Sequence, residues 1–142
     1  MSRFLLDTCI ISNATKPTPS DTLLAWMAEQ ADEDLFLSAL TVAEIRRGIL
    51  EKSPGKKRRD LERWFAGLEG PAALFAGRVL PFDEQAALIW ARLMAEGTAK
   101  GRPRSPFDIR IAATAEANDG VVATENERDF AGRRFVNPLR SE

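Results

Sequence analysis

The chain has 142 residues, about the size of one domain, and its 44% hydrophobic content supports a sizeable core. It holds no histidine, no tyrosine and one cysteine, Cys9, which excludes imidazole zinc sites, Ser-His-Asp and Cys-His nucleophile pairs, two-histidine ribonuclease chemistry and an internal disulfide. The formal net charge of −1 hides a segregation: "EQADED" (29–34) is acidic, and "RRGILEKSPGKKRRDLER" (46–63) is strongly basic. That basic stretch reads either as a solvated helical hairpin laced with ion pairs or as a patch for a polyanion.

Along the chain, short apolar runs alternate with helical patterns. "FLL" (4–6) reads as a buried strand, and a helix follows around 20–31, with Ser20 or Asp21 as its cap. "LFLS" (35–38) is a second strand, leading to a helix from about 42 to 52. "SPGKK" breaks that helix, and another runs through Leu61, Trp64, Phe65 and Leu68. "RVLPF" (78–82) is a third strand. Residues 84–97 carry Ala87, Leu88, Ala91 and Met94 at helical spacing. "KGRPRSP" is a loop, Pro106 opens a helix to about Asn118, "VVAT" (121–124) is a strand, and "RFVNP" (134–138) is the last candidate. Such alternation predicts an α/β fold, a parallel β-sheet flanked by helices, whose ligands gather at the carboxyl ends of the strands.

No run approaches the about 18 apolar residues of a membrane span, and the N-terminus does not read as a signal peptide. A lone Cys9 fits a reducing cytoplasm, and without a histidine to activate it reads as a small core residue.

Acidic residues follow the strands. Asp7 comes directly after the first, Glu44 soon after the second, Asp108 in the first turn of a helix, and Glu125, Asn126, Glu127 and Asp129 just past "VVAT". A plainer reading competes: Thr41 to Glu44, Ser105 to Asp108 and Thr124 to Glu127 all have capping-box spacing. Asp108 shares the apolar face of its helix with Ile111, Ala112 and Ala115, so its carboxylate is expected to be partly buried and to need partners. Glu44 lies off the apolar face of its helix, beside open space above Gly48 that can admit a ligand. Asp7 is the least readily explained as a cap. Beside a second carboxylate about 5 Å away it would suffer roughly 3 kcal/mol of repulsion at an effective dielectric near 20. A divalent cation removes that penalty, and oxygen-only donors suit Mg²⁺ or Mn²⁺.

"LLDTCIIS", "LSALTVAEIRRGI", "RVLPFDE", "SPFDIRIAATA" and "VVATENERDF", in that order, resemble the PIN-domain ribonucleases, of the VapC/FitB toxin type. The similarity runs from about residue 3 to the terminal "FVNP". It implies a single α/β/α domain over residues 1–142 and a cytoplasmic endoribonuclease that hydrolyses RNA phosphodiester bonds with Mg²⁺ or Mn²⁺. Carried over by position, Asp7, Glu44 and Asp108 become the metal ligands, with Thr8 and Thr124 in support. The family often has an acid where this chain has Asn126, which leaves the fourth position to Asn126 or Asp129. The resemblance also implies a homodimer neutralised by a VapB/FitA-like antitoxin, with Leu50, Trp64 and Phe65 as candidate contacts. In that setting the basic stretch and the "KGRPR" loop (100–104) become candidate RNA contacts. Asn126 motivates a second reading, a catalytically weak module that only binds RNA or an antitoxin.

Overall fold

The computed structural model describes residues 3–102 and 105–140. Pro103 and Arg104 of the "KGRPR" loop lie outside the described residues. Five strands form one wholly parallel sheet: β1 (Phe4–Leu6), β2 (Leu35–Ser38), β3 (Val79–Leu80), β4 (Val121–Ala123) and β5 (Phe135–Val136). Their order is β3-β2-β1-β4-β5. The chain therefore steps outward in one direction from β1 and in the other from β4, and the crevice of such a sheet opens at the carboxyl ends of these two central strands.

The helices are α1 (Thr8–Ala14), α2 (Asp21–Glu29), α3 (Ala39–Leu50), α4 (Lys56–Ala66), the single turn α5 (Pro71–Leu74), α6 (Glu84–Ala99) and α7 (Pro106–Ala117). Strand side chains alternate between two cores, as the pleat requires. Leu5 and Val122 pack with Leu93, Ile109, Ile111 and Phe130 on one face. Leu6 and Leu37 pack with Ile10, Leu23 and Phe75 on the other. Each such side chain contributes about 1.5–3 kcal/mol on burial. Helix α7 is buried on almost every side, because Ala112, Ala113 and Ala115 let it lie close to both the sheet and α6.

Two elements depart from the sequence reading. Helix α1 follows β1 directly, where no helix was expected, and α5 is likewise additional. Helix α3 begins at Ala39, with the Ser38 hydroxyl accepting from the Leu40 N–H at 3.0 Å. Thr41 is therefore inside the helix and fully buried, not its cap. The basic helix α4 has no buried residue and ties its charges into pairs, among them Lys56–Asp60, Arg58–Glu62 and Arg63–Asp60. No helix among the described residues is long and apolar enough to cross a membrane.

Candidate active site

Register carries Asp7 to the crevice. Leu6 pairs with Ala123, so the next position on each strand brings Asp7 beside Thr124. The ladder continues through them: the Asp7 N–H donates to the Ala123 carbonyl at 2.9 Å, and the Thr124 N–H to the Val136 carbonyl at 2.9 Å. Asp7 is 5% exposed and Thr124 fully buried. One Asp7 oxygen, Oδ1, accepts from the Thr8 N–H at 2.8 Å. The other, Oδ2, accepts from Thr124 Oγ1 at 2.9 Å and from Cys9 Sγ at 3.6 Å. Asp7 is thus the cap of α1, although the sequence makes it the acid least readily explained as one. The apolar run around it hid the helix that it starts.

Glu44 stands half-buried in α3. Burial raises its carboxyl above the ordinary range, a hydrogen bond from Thr8 opposes the rise, and the charge of Asp7 adds to it. Thr8 in turn lies 3.4 Å from the buried Thr41 hydroxyl. By the helical wheel alone Glu44 reads as a capping or solvated residue. The unexpected helix α1, packed against α3, brings Thr8 to it.

The third acid sits at the start of α7. Ser105 caps that helix, its hydroxyl accepting from the Asp108 N–H at 3.5 Å, and Pro106 fills the first helical position, as the spacing predicts. Burial, a hydrogen bond shared with Asp129, and the charges of Asp7, Asp129 and Glu44 push the Asp108 carboxyl up to about 7. The Asn126 amide donates to Asp129 Oδ2 at 2.6 Å and to Asp108 Oδ2 at 3.4 Å, bridging the two carboxyl groups. Thr124 to Glu127 starts no helix. Instead Thr124 Oγ1 accepts from the Asn126 N–H at 3.0 Å, a turn closed by a hydroxyl. One side chain thereby fixes both Asp7 and Asn126. Glu127 points elsewhere, to Asn137 at 2.7 Å and Arg140 at 2.8 Å.

Cys9, read from the sequence as a small core residue, packs against the second core and also faces the site. It is only partly buried, and its thiol touches Asp7 Oδ2 and, at 3.6 Å, Thr124 Oγ1. Burial and the Asp7 charge push it up to about 11. At neutral pH it is a protonated thiol, a hydrogen-bonding wall of the site and no nucleophile. The signal was its position two residues after a capping aspartate.

Four acids from distant parts of the chain thus feel one another's charge, and no salt bridge reaches Asp7, Glu44 or Asp108 among the described residues. An oxygen-only donor set that Arg47 offsets only at Glu44 and no salt bridge neutralises among the described residues fits a hard divalent cation. As the side chains stand, no three acidic, cysteine or histidine residues among those described are close enough to hold one ion together. The acids surround the end of the sheet without closing on a single point.

The chain is similar to known proteins over nearly its whole length. Residues 4–135 match the PIN domain family. The chain is 42% identical over 136 residues to the VapC ribonuclease Y4jK of Sinorhizobium fredii, covering 94% of this chain and 96% of that protein. It is 39% identical over 126 residues to the toxin FitB of Neisseria gonorrhoeae, covering 89% of each. The solved structure of FitAcB from Neisseria gonorrhoeae superposes with a TM-score of 0.88 at 37% identity, covering 97% of this chain and 99% of that one.

Proposed function

The chain belongs to the PIN domain family, and we propose that within it this protein is a divalent-metal-dependent endoribonuclease, the toxin of a toxin–antitoxin pair. The observation that carries the reading is the gathering of Asp7, Glu44, Asp108 and Asp129 at the carboxyl edge of the sheet, where burial first, then a hydrogen bond with Asp129 and the neighbouring charges, push the Asp108 carboxyl up to about 7. Such crowding is unfavourable unless positive charge arrives from outside.

Asp7, Glu44 and Asp108 are the residues that would hold Mg²⁺ or Mn²⁺, with Asn126 or Asp129 completing the set. When bound, the ion supplies the positive charge that polarises a scissile phosphate and eases ionisation of the attacking water. The protein's part is to hold its carboxylates ready. Thr124 and the Thr8 N–H fix both oxygens of Asp7, so this ligand needs no rearrangement. Asp108 must first lose its proton, which makes it the pH-sensitive member. Thr8 touches both acids, its N–H donating to Asp7 and its side chain hydrogen-bonding Glu44.

The likeness to FitB and to a VapC ribonuclease supports a toxin role with an antitoxin partner of the VapB/FitA kind and, by the resemblance of the motifs, a homodimer. Purified protein is expected to cut RNA at internal bonds with Mg²⁺ or Mn²⁺, and EDTA is expected to abolish cutting reversibly. RNA binding that persists without turnover in any divalent ion would instead support the second reading, a binding module. Asn126, an uncharged residue among the acids, is the feature that favours that alternative.

A further inference from the structure

Charge is spread unevenly over this chain, and its cations gather where the chemistry above does not use them. Residues 46–63 hold eight lysines and arginines against three acids, a net of +5 in a chain whose total is −1. They form the end of α3, the turn after it and α4 as far as Arg63. Their ion pairs do not cancel the excess. Asp60 is shared by Lys56 and Arg63, and Glu62 by Arg46 and Arg58, so two carboxylates serve four cations. Arg47 and Glu51 pair one to one. Lys52, Lys57 and Arg59 form no salt bridge among the described residues.

The cations divide by the direction they face. Arg46 and Arg58 are half-buried and brace the hairpin. Arg46 lies over the Phe65 ring at 5.7 Å, and Arg58 Nη1 donates to the Lys52 carbonyl at 3.2 Å. Lys56, Lys57, Arg59 and Arg63 are exposed and form, with Asp60, the outer face of α4. Leu61, the one apolar residue between Lys56 and Arg63, is turned to the groove it shares with Glu44 and Trp64. The outer face is thus four cations and one carboxylate. The centre of a protein–protein contact is depleted of charge and enriched in aromatic side chains, so this face suits a partner held by charge, a phosphodiester backbone. The hairpin is also joined to the acidic centre, because α3 carries Glu44. From Glu44 to Leu50 that helix rises about 9 Å, which sets the turn and the start of α4 beyond the acids.

We propose that the outer face of this α3–α4 hairpin docks the phosphate backbone of the substrate RNA, holding it at nucleotides outside the scissile one. Lys57 and Arg59, with Lys52 in the turn, make the contacts, because no carboxylate pairs with them. Such a surface reads charge and not base sequence. It also divides the labour: the metal-free acids repel a phosphate, and the hairpin attracts the strand from a distance. The proposal rests on the ribonuclease reading for the identity of the polyanion.

The test is equilibrium binding of a labelled single-stranded RNA to the whole protein in EDTA over a range of salt, with steady-state cleavage in Mg²⁺ alongside. Lys57→Ala with Arg59→Ala should flatten the dependence of log K on log salt by about 1.4, from about 0.7 per single-strand phosphate contact. The same variant should raise KM about tenfold at low salt and leave kcat unchanged, since the contact is made equally before and at the transition state. Strands of unrelated base sequence should lose affinity by the same factor. Both side chains are exposed and outside any ion pair, so Tm should hold. Arg3→Ala with Arg134→Ala removes the same charge at the amino edge of the sheet, before β1 and β5, and should leave slope and KM at the parent's values. Equal effects from the two double variants would reduce the result to net charge and overturn the surface. An unchanged slope and KM in the Lys57→Ala, Arg59→Ala protein would overturn it too, even where that variant loses a protein partner, as would a parent that binds no RNA. Hairpin-dependent binding without cleavage in any divalent ion would instead sink the ribonuclease reading and leave the RNA surface standing.

Discussion

Asp7 and Asp108 stand at the same edge of one sheet and are held in opposite ways. Asp7 is almost wholly buried, yet both of its oxygens are occupied by donors, from Thr8, Thr124 and Cys9. Asp108 is half-exposed, meets the Asn126 amide only at 3.4 Å, and is crowded by Asp129, Asp7 and Glu44. Burial with donors fixes a charge in place. Partial burial among like charges leaves a group poised between proton and cation. The first acid belongs to the fold as much as to the site, and the second to the site alone.

The largest effects should separate them. Asp7→Ala and Asp108→Asn are each expected to lower RNA cleavage by at least about 100-fold, the scale for removing a group that supports developing charge. Their stabilities should move in opposite directions. Asp7→Ala removes the cap of α1 and strips the Thr124 hydroxyl of its acceptor, a loss of about 1–3 kcal/mol in urea unfolding. Asp108→Asn relieves repulsion, so the metal-free variant should be as stable as the parent or more so. Equal losses of stability in both variants would erase the distinction drawn above.

Titration gives the next effect. The Asp108 carboxyl is raised from 3.8 to about 7 on folding. Between those values the folded chain keeps a proton that the unfolded chain has released, so stability falls as pH rises. Metal-free protein should therefore be most stable below about pH 4, on this group's account, and lose that contribution by about pH 7. Binding of Mg²⁺ or Mn²⁺ runs the other way, because the ion must displace the proton. Apparent affinity should rise about tenfold from pH 6 to pH 8, the change in the deprotonated fraction of a group titrating near 7, and Asp108→Asn should flatten that rise. Calorimetric titration at the two pH values checks both statements.

Much of this contrast was legible in the sequence, and the part that was not has a physical cause. Helices α6 and α7 and strands β2 and β4 were read from periodicity and from Pro106, since long amphipathic helices and compact apolar runs advertise themselves. Helix α1 was missed because Thr8, Ile10 and Ile11 are β-branched and modest helix formers; packing against the sheet and the Asp7 cap decide its conformation. Glu44 reads as capping or solvated on a wheel because a wheel knows only its own helix, and the neighbour that reaches it, Thr8, comes from the unexpected helix α1. The spacing from Thr124 to Glu127 imitated a capping box, but the Thr124 hydroxyl is claimed by Asp7 and by the Asn126 N–H. Spacing reports what is possible along the chain. The register between β1 and β4 selects what happens.

The smallest and most discriminating effect concerns Asn126. Its amide donates to Asp129 and Asp108 together, so in the metal-free protein it partly does the work of a cation. Asn126→Asp exchanges that donor for a further negative charge. Without metal, the variant should be less stable than the parent above about pH 7, and the Asp108 carboxyl should titrate higher still. With metal the sign reverses. A unit charge about 4 Å from an ion in a water-filled site contributes roughly 1 kcal/mol per unit of ion charge before screening, about 2 kcal/mol for Mn²⁺, so Mn²⁺ affinity should rise by up to about thirtyfold and cleavage at limiting metal should rise with it. The crossing of the two curves, destabilised without metal and tighter with it, belongs to a side chain that faces the bound ion. If metal-free stability falls while Mn²⁺ affinity stays at the parent's value, Asn126 is only a strut between two carboxyl groups, and Asp129 alone supplies the fourth oxygen.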